Sequence, residues 1–341
     1  MKSFVLTIGT FAWLSSIGIN ATLMAADKSD HHSSASYTET KHPIVMVPGA
    51  FAFDNVLGII DYWYGITDAM RAQGAEVYVT NLSSSNLLVA RGEELLEDVR
   101  RIRAITGASK VNLIAHSQGA TAARYVANVM PEWVASVSCI HCMNEGTPFA
   151  DNLYAFVNRN RFLKGIINFT LSTVFTALEF LSGPGHDGDY KSPNRGLQIA
   201  ENLVIAAGRE SHKHFNQMFP AGLSSLTCAE QKDGFDYQGV GGENYVNGTY
   251  YFSLGGTTAV TNRLDPIDNL LVPVVKMFYP GRPIWDGLVP SCGHPLGKLI
   301  EGRYPTSHFD AINQAFGLVE SGIDVPSLYV MHANRLKIAG L

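Results

Sequence analysis

The sequence KVNLIAHSQG occupies residues 110–119. Its first part, KVNLIA (110–115), is a short apolar run typical of a buried parallel strand, and a helix is predicted to follow from Gly119. A serine between a strand and a helix, with small residues two positions before and after it, is typical of the nucleophile elbow. Ala115 stands where glycine is usual, and it is also small. The pattern predicts that Ser117 is a nucleophile; the alternative is an ordinary strand-to-helix turn.

Segments of strand and helix character alternate on both sides of this motif. Strands are predicted at PIVMVP (43–48), AEVYVT (75–80) and 135–142, and helices at 91–105 and 119–129. Such alternation is typical of a mostly parallel sheet with helices on both faces. Together with the elbow it predicts an α/β-hydrolase fold in a single domain.

The catalytic partners of the serine must follow it in the chain. A serine hydroxyl needs a general base, the base needs an orienting acid, and the order in this fold is Ser, acid, His. His308 lies in a loop just before a helical segment, and its position favours it over His294. Asp286 lies in an Asp-Gly turn beside an apolar segment, which favours it over Asp265 or Asp268.

The tetrahedral intermediate of acyl transfer needs two N–H donors. One is expected from the backbone of Gln118, directly after the nucleophile. The other is expected from Ala50, in the loop Pro48–Phe51 after the first strand. The alternative is that this loop is only a turn.

Composition excludes one class of partner. The chain has 341 residues, is 46% hydrophobic and carries a net charge of -5, with no basic run. Because phosphate binding needs clustered Lys and Arg, nucleic acid is not expected as a partner.

The N-terminus has the order of a secretory signal. A positive start at Lys2 precedes an apolar run over 4–14 and the sequence LMAA (23–26), whose two alanines are the small residues needed for cleavage. We expect a signal peptide over residues 1–26, cleaved near Ala25 or Ala26, and a mature α/β-hydrolase domain over 27–341. The alternative is a membrane anchor, but the run is short, and a stable span needs ~20 apolar residues.

Export permits disulfides. Cys228 and Cys292 lie in loop-like contexts far apart in sequence, and we favour a bridge between them. Cys139 and Cys142 form a C-x-x-C spacing without a second cysteine pair, which argues against a zinc or redox site. A buried pair of free thiols or a strained local bridge are the alternatives for them.

Residues 163–181 are apolar and almost without charge, and GPG (183–185) follows them. The segment is too long for a strand and too polar for a membrane span. It is predicted to be either a buried core helix or a mobile lid over an apolar cleft, inserted at about residues 151–200.

Further segments extend over nearly the whole mature chain: PIVMVPG (43–49), DYWYGI (61–66), GAEVYVT (74–80), RGEELL (91–96), KVNLIAHSQG (110–119), NRLDPID (262–268), DGLV (286–289), HFDAINQAFGL (308–318) and HANRLK (332–337). They resemble the secreted bacterial lipases of the Pseudomonas–Burkholderia type, the true lipases that need a dedicated foldase. The resemblance implies a triad of Ser117, Asp286 and His308, oxyanion donors at Ala50 and Gln118, and a lid at 163–181.

The same resemblance implies one structural calcium ion. Its ligands would be Asp265, Asp310 and the backbone carbonyls of Gln314 and Leu318, and such hard oxygen ligands suit calcium. The alternative for these carboxylates is helix capping or solvated surface charge. The resemblance also supports the bridge between Cys228 and Cys292.

The implied function is a secreted triacylglycerol lipase, exported through the periplasm, that acts on lipid esters at an oil–water interface. A short-chain carboxylesterase or polyester depolymerase with the same triad is the alternative. A non-catalytic binding protein is a third hypothesis, and a broken triad would be its signature.

Two positions depart from this family. Pro48-Gly49 follows the first strand where members usually have His-Gly, and residue 118, often His, is Gln118. Because proline has no N–H, we expect the hydrogen bonding of this loop to differ. Cys139 and Cys142 also lie outside the family pattern.

Overall fold

The computed structural model describes residues 36–50, 55–56, 60–84, 86–159, 200–230, 241–279 and 284–341, and isolated positions between 162 and 191. The predicted signal peptide (1–26) lies outside the described residues. So does most of the predicted lid at 163–181.

A central sheet of parallel strands forms the middle layer. Its order is β6-β5-β4-β3-β1-β2, and the two-residue strand Tyr245–Val246 pairs antiparallel with β5. The strands are β1 (Ile44–Val47), β2 (Val77–Val79), β3 (Val111–His116), β4 (Val134–Ile140), β5 (Thr249–Gly256) and β6 (Lys298–Tyr304). Two further pairs of two-residue strands lie outside this sheet, Asn55–Val56 with Ile60–Asp61 and His186–Asp187 with Tyr190–Lys191.

Helices connect and cover the strands. They are α1 (Ile66–Arg71), α2 (Leu88–Thr106), α3 (Gly119–Val129), α4 (Pro148–Asn158), α5 (Ala200–Ala207), α6 (Arg209–Met218), α7 (Pro266–Met277), α8 (Gln314–Gly317) and α9 (Val325–Ile338). Short 3₁₀ turns occur at Pro131–Trp133, Ser291–Gly293 and Asp310–Ile312. None of the helices in the described part of the chain combines the length and the apolar character needed to cross a bilayer.

The sheet carries a core on each face because side chains alternate along a strand. In β1, Val45 and Val47 pack with residues of α2 and α3. Ile44 and Met46 point to the other face and pack with residues of α1 and α9. The prediction of a parallel sheet with helices on both faces is therefore confirmed.

The predicted elements before residue 140 agree closely with the structure, and one ends early. The helix predicted over 119–129 is α3, and the helix predicted over 91–105 is α2, which ends at Gly107 with φ 70°. The strand predicted over 135–142 ends at Ile140, because His141 adopts φ 47° and turns the chain.

All four cysteines are joined in disulfides. Cys228 is bonded to Cys292, with their Cα atoms 5.2 Å apart. Cys139 is bonded to Cys142, which is the local bridge and not the pair of free thiols.

Candidate active site

Ser117 occupies a sharp turn between β3 and α3. β3 ends at His116, α3 begins at Gly119, and Ser117 lies between them with φ 54°. A residue with a side chain in this left-handed region costs about 1–3 kcal/mol, so the surroundings must hold it there. The turn lifts the serine out of the sheet at the carboxyl end of β3.

Two glycines make the turn possible. A Cβ at Gly119 would lie 2.6 Å from the carbonyl oxygens of Val47 and Pro48. A Cβ at Gly49 would lie 2.6 Å from the Cβ atom of Ser117. Neither position can therefore carry a side chain without moving backbone. Ala115, at the position where glycine is usual, is fully buried and accommodated.

The structure brings Ser117, His308 and Asp286 into one hydrogen-bonded line. Ser117 Oγ lies 2.9 Å from His308 Nε2, and His308 Nδ1 lies 2.7 Å from Asp286 Oδ2. All three side chains are buried, none with more than 3% of its surface exposed. This geometry can transfer a proton from the serine to the imidazole and stabilise the resulting imidazolium.

Asp286 is held as an anion. Its Oδ1 accepts hydrogen bonds from the N–H groups of Leu288 and Val289, at 3.0 and 2.8 Å. Burial alone would raise its pKa, but His308 and the neighbouring imidazoles of His141 and His294 hold the pKa well below its usual value. Asp286 lies in the long connection between α7 and β6.

The alternative residues do not occupy the triad positions. His294 Nε2 is 3.2 Å from Asp286 Oδ2, whereas the imidazole hydrogen-bonded to Ser117 belongs to His308. Asp265 and Asp268 form a separate carboxylate group described below.

A chain of hydrogen bonds joins the loop after β1 to the loop that carries His308. The Gly49 N–H donates to Tyr62 Oη at 2.8 Å, and Tyr62 Oη lies 2.8 Å from His116 Nδ1. His116 Nε2 lies 3.0 Å from the carbonyl oxygen of His308. Because a carbonyl only accepts, Nε2 carries the proton and Nδ1 accepts from the Tyr62 hydroxyl.

Arg91, on α2, ties both predicted oxyanion segments together. Its Nη1 donates to Gln118 Oε1 at 2.6 Å, and its Nη2 donates to the carbonyls of Pro48 and Gly49 at 3.1 and 2.7 Å. Burial lowers the pKa of Arg91 to about 10, which leaves it charged at neutral pH. The guanidinium therefore holds the backbone directly before the predicted donor Ala50 and the side chain of the other predicted donor, Gln118.

Sequence reasoning singled out neither Arg91 nor Tyr62. A signal for Arg91 is present, because it lies four residues before Leu95 and hence on the same apolar face of α2. A fully buried arginine on such a face needs several acceptors, and the loop after β1 supplies two of them.

Asp265, Asp268 and Asp310 form a buried group of carboxylates whose oxygens lie within 4.8 Å of one another. Asp268 Oδ2 and Asp310 Oδ1 have no hydrogen-bond partner among the described residues. Burial, with a smaller contribution from Asp265, raises the pKa of Asp268 to about 8. Carboxylates collected in this way, with oxygen atoms left over, fit a hard cation.

The other predicted calcium ligands lie just beyond Asp310. Gln314 begins α8, and Leu318 directly follows it. The side-chain nitrogen of Gln314 donates to the carbonyls of Asp61 and Tyr62, at 2.7 and 2.8 Å. The side chain of Gln314 is therefore engaged with the segment Asp61–Tyr62, and only its backbone carbonyl is a predicted ligand.

An apolar surface on α7 is connected to the Asp286 loop through α4. Leu270, Val274 and Met277 form one stripe of α7, with 77%, 46% and 79% of their surfaces exposed. Phe278, at the end of α7, contacts Phe156 of α4 with ring centroids 5.4 Å apart. The start of α4 is hydrogen-bonded to the Asp286 loop, because Thr147 Oγ1 donates to the carbonyl of Leu288.

Comparison with known proteins finds relatives that agree with one another in fold and activity. A family model described as the alpha/beta hydrolase fold matches residues 42–165. The sequence is 36% identical to a triacylglycerol lipase from Vibrio cholerae, over 94% of this chain and 96% of that protein. It is also 36% identical to a triacylglycerol lipase from Pseudomonas fragi, over 89% of this chain and 98% of that one.

Similarity to solved structures is weaker and concerns the fold. The mature lipase BlEst2 of Bacillus licheniformis superposes with a TM-score of 0.50 at 18% identity, covering 81% of this chain and 89% of that one. A metagenomic carboxyl esterase, MGS0156, superposes with the same TM-score of 0.50 at 15% identity, over 87% of this chain and 76% of that one.

Proposed function

Because the chain belongs to the triacylglycerol lipase family, with an α/β-hydrolase fold, we propose that it hydrolyses acylglycerols through an acyl-enzyme on Ser117. The observation that carries the proposal is the line of contacts from Ser117 Oγ through His308 to Asp286, at 2.9 and 2.7 Å.

Acylation begins when Ser117 Oγ attacks the ester carbonyl carbon and its proton passes to His308 Nε2. Asp286 accepts the hydrogen bond from His308 Nδ1–H and stabilises the imidazolium. The oxyanion forms beside the N–H groups of Ala50 and Gln118. When the intermediate collapses, the alcohol leaves and takes the proton from His308.

Deacylation repeats these steps with water as the nucleophile. His308 Nε2 removes a proton from the water as its oxygen attacks the acyl carbon, and then returns the proton to Ser117 Oγ as the fatty acid leaves. The N–H of Gln118 is available to the oxyanion because the first N–H groups of a helix have no intrahelical acceptor.

The substrate is a long-chain ester presented at an oil–water interface. The exposed stripe of Leu270, Val274 and Met277 supports this, because large apolar patches beside a site are typical of lipid or protein contact. A short-chain carboxylesterase or polyester depolymerase would use the same triad, and nothing in the described residues favours it.

A calcium ion is proposed at the carboxylate group. Asp265 and Asp310 would bind it with the carbonyls of Gln314 and Leu318, and Asp268 adds a further carboxylate. The ion would supply positive charge to a buried anionic cluster. Asp310 Oδ2 already accepts a hydrogen bond from the Ser307 N–H at 2.9 Å, so the ion would stabilise the loop that presents His308.

Secretion through the periplasm and a dedicated foldase are proposed from the family resemblance and the signal-like N-terminus. Refolding of the denatured mature chain with and without the foldase of a relative tests the second point. Equal yields of active enzyme would argue against a foldase requirement.

The function is tested by the hydrolysis rate against acyl chain length, from short p-nitrophenyl esters to emulsified triolein, with Ser117→Ala as the blank. We expect the highest rates on the emulsified long-chain substrate and none from the variant. Activity confined to short soluble esters would reassign the protein as an esterase, and activity in Ser117→Ala would disprove the mechanism.

A further inference from the structure

Two histidines outside the proposed triad converge on the carboxylate of Asp286. His141 Nδ1 lies 3.1 Å and His294 Nε2 lies 3.2 Å from Asp286 Oδ2. Both imidazoles are buried, with 2% and 1% of their surfaces exposed. The three ligand atoms all lie within 4.8 Å of one another.

Two glycines at the end of β5 leave space for the imidazole rings of His141 and His294. A Cβ at Gly255 would lie 2.6 Å from His294 Nδ1, and a Cβ at Gly256 would collide with the ring of His141. His141 itself adopts φ 47° inside the four-residue loop closed by the disulfide between Cys139 and Cys142. The rings therefore occupy positions that the end of β5 and the turn after β4 leave open for them.

The hydrogen bonding of His294 is incomplete. Its Nε2 lies 3.2 Å from Asp286 Oδ2 and helps to lower the pKa of that carboxyl, but the contact is poorly aligned, and Nδ1 has no hydrogen-bond partner among the described residues. A buried polar group without a hydrogen-bond partner lowers the stability of the fold by about 1–3 kcal/mol. A buried imidazole is therefore typically bound to a protein group, a water molecule or an ion. His141, by contrast, has its other nitrogen 3.1 Å from Thr306 Oγ1, as metal-bound histidines have.

We propose that His141, His294 and Asp286 form a binding site for a divalent metal ion of the zinc type. Imidazole nitrogen and carboxylate oxygen are the ligands of such ions, with bonds of about 2.0–2.2 Å. In a tetrahedral site those bonds place neighbouring ligand atoms about 3.3 Å apart. The nitrogen-to-oxygen distances of 3.1 and 3.2 Å match this spacing. Calcium does not suit the site, because it takes 6–8 oxygen ligands.

A simpler account is that both histidines only donate hydrogen bonds to Asp286. That account holds for His141, whose Nδ1 is in hydrogen-bonding geometry. It describes His294 less well, because the 3.2 Å contact of its Nε2 with Asp286 Oδ2 is poorly aligned for a hydrogen bond. A shared metal ion accounts for both rings at once.

The position of the site gives metal binding a consequence for catalysis, and this part rests on the proposed function. Asp286 Oδ2 is also the acceptor for His308 Nδ1. A divalent cation on that oxygen would weaken the acceptor and oppose the positive charge that His308 gains in the transition state. We expect zinc to lower kcat and to leave KM almost unchanged.

The binding test uses calorimetric titration of Zn²⁺ into the untagged Ser117→Ala protein with calcium in excess. One Zn²⁺ per chain is expected to bind, and adding His294→Ala should weaken binding at least tenfold. The matched control is His214→Ala, because His214 is exposed on α6 and contacts Glu210 at 3.0 Å. The control should bind as the Ser117→Ala parent does.

Circular dichroism checks that each variant folds, and His294→Gln replaces His294→Ala if the smaller side chain unfolds the protein. No binding to the folded parent, or equal affinity with and without His294, would overturn the metal site. These outcomes are independent of activity, so they are distinguishable from a failure of the proposed function.

The kinetic test compares zinc inhibition of the active enzyme with that of His294→Ala, each relative to its own zinc-free rate. The variant should need at least tenfold more Zn²⁺ for half inhibition. Equal sensitivity would overturn the inhibitory role of the site.

Discussion

At the scale of single residues, Arg91 holds two segments of the proposed active site in place without contacting the triad. It is buried on α2 and contacts Gln118 and the carbonyls of Pro48 and Gly49. Proline at residue 48 offers no N–H, so the loop is held through its carbonyls and through the Gly49 N–H instead. A planar guanidinium with several donors can satisfy such divergent acceptors, whereas an ammonium group cannot.

Replacing Arg91 with lysine should therefore reduce kcat. Loss of one oxyanion donor costs about 10²–10³-fold in kcat, and a loosened loop should cost part of that, about 10–100-fold. KM on p-nitrophenyl butyrate should change little. Arg100→Lys, on the exposed side of the same helix, is the control. Unchanged kcat in Arg91→Lys would show that the loop holds its shape without the guanidinium.

Tyr62→Phe tests the hydrogen-bond chain through His116. The change leaves the Gly49 N–H and His116 Nδ1 without their partner, and each unpaired buried group costs about 1–3 kcal/mol. We expect a lower free energy of unfolding in urea together with a lower kcat. Tyr64→Phe is the matched control, since Tyr64 is partly exposed two residues away. Equal stability of the two variants would contradict the chain.

The sequence suffices for some of these residues and not for others. Ser117 follows from a local strand–turn–helix pattern, and the chain order of the fold narrows the choice of Asp286 and His308. Arg91 and Tyr62 act through contacts with segments 27 and 13 positions away, so a local pattern can indicate that Arg91 is buried but cannot identify the partners of either residue. The same holds for His141, whose contact with Asp286 spans 145 positions.

At the scale of elements, the predictions succeed where strands are buried on both faces. β1 is a continuous apolar run, and β3 is interrupted only by Asn112 before it ends at His116, because helices cover both of their sides. β6 (KLIEGRY) is an edge strand with several exposed positions, and its mixed sequence gives no such signal. The long connection between α7 and β6, which carries Asp286, has no regular period to read.

The loop between β6 and α8 should depend on calcium. Asp310 exchanges hydrogen bonds with Ser307, directly before His308, and its unpartnered oxygen belongs to the carboxylate group. At a calcium concentration near 100 Kd, binding stabilises the fold by about 2.7 kcal/mol, equivalent to about 4 °C in Tm for a chain of this size. Addition of EGTA should remove this increment and reduce activity.

Asp310→Asn should show a low Tm that EGTA does not lower further. Asp324→Asn, an exposed N-cap of α9 outside the carboxylate group, is the control and should remain sensitive to EGTA. A chelator effect that is the same in all three proteins would argue against this site.

The apolar stripe of α7 should matter only at an interface. The double change Leu270→Ser and Met277→Ser should lower the rate on emulsified triolein at least tenfold, because each side chain contributes about 1.5–3 kcal/mol when it leaves water completely. The rate on soluble p-nitrophenyl acetate should stay within twofold. Ile338→Ser, equally exposed at 79% on α9, is the control. Equal losses on both substrates would indicate damage to the fold.

At the scale of the whole molecule, both cores enclose neutral histidines. Burial lowers the pKa of His141 and His212 to about 4 and that of His332 to about 3. Sequence alone does not show this, because a histidine on a helix such as α9 can face water or the core. These imidazoles are therefore neutral in the folded state, and protonating them favours unfolding.

Stability should consequently fall in mild acid. The pKa of His332 in the folded state lies below the unfolded value of about 6.5. The unfolded state therefore binds more protons between about pH 6.5 and pH 3, and stability, complete above pH 6.5, is lost as pH falls through this window. One such group contributes about 2 kcal/mol of loss by pH 5. His332 contacts Ser138 Oγ at 2.7 Å and Arg335 at 3.0 Å, and the cation further opposes its protonation.

His332→Gln isolates this effect. Its side-chain amide does not titrate, so the variant should lose about 2 kcal/mol less between pH 7.5 and pH 5 than the wild type does, whatever its absolute stability. Urea unfolding at pH 7.5, 6 and 5, with calcium saturating in every sample, measures the difference while the carboxylate group contributes equally to both proteins. Parallel curves would mean that His332 becomes protonated without unfolding the core, through water reaching the cavity of about 20 Å³ that it lines with His141. A flatter curve for the variant would locate part of the acid sensitivity of the whole fold in this single buried ring.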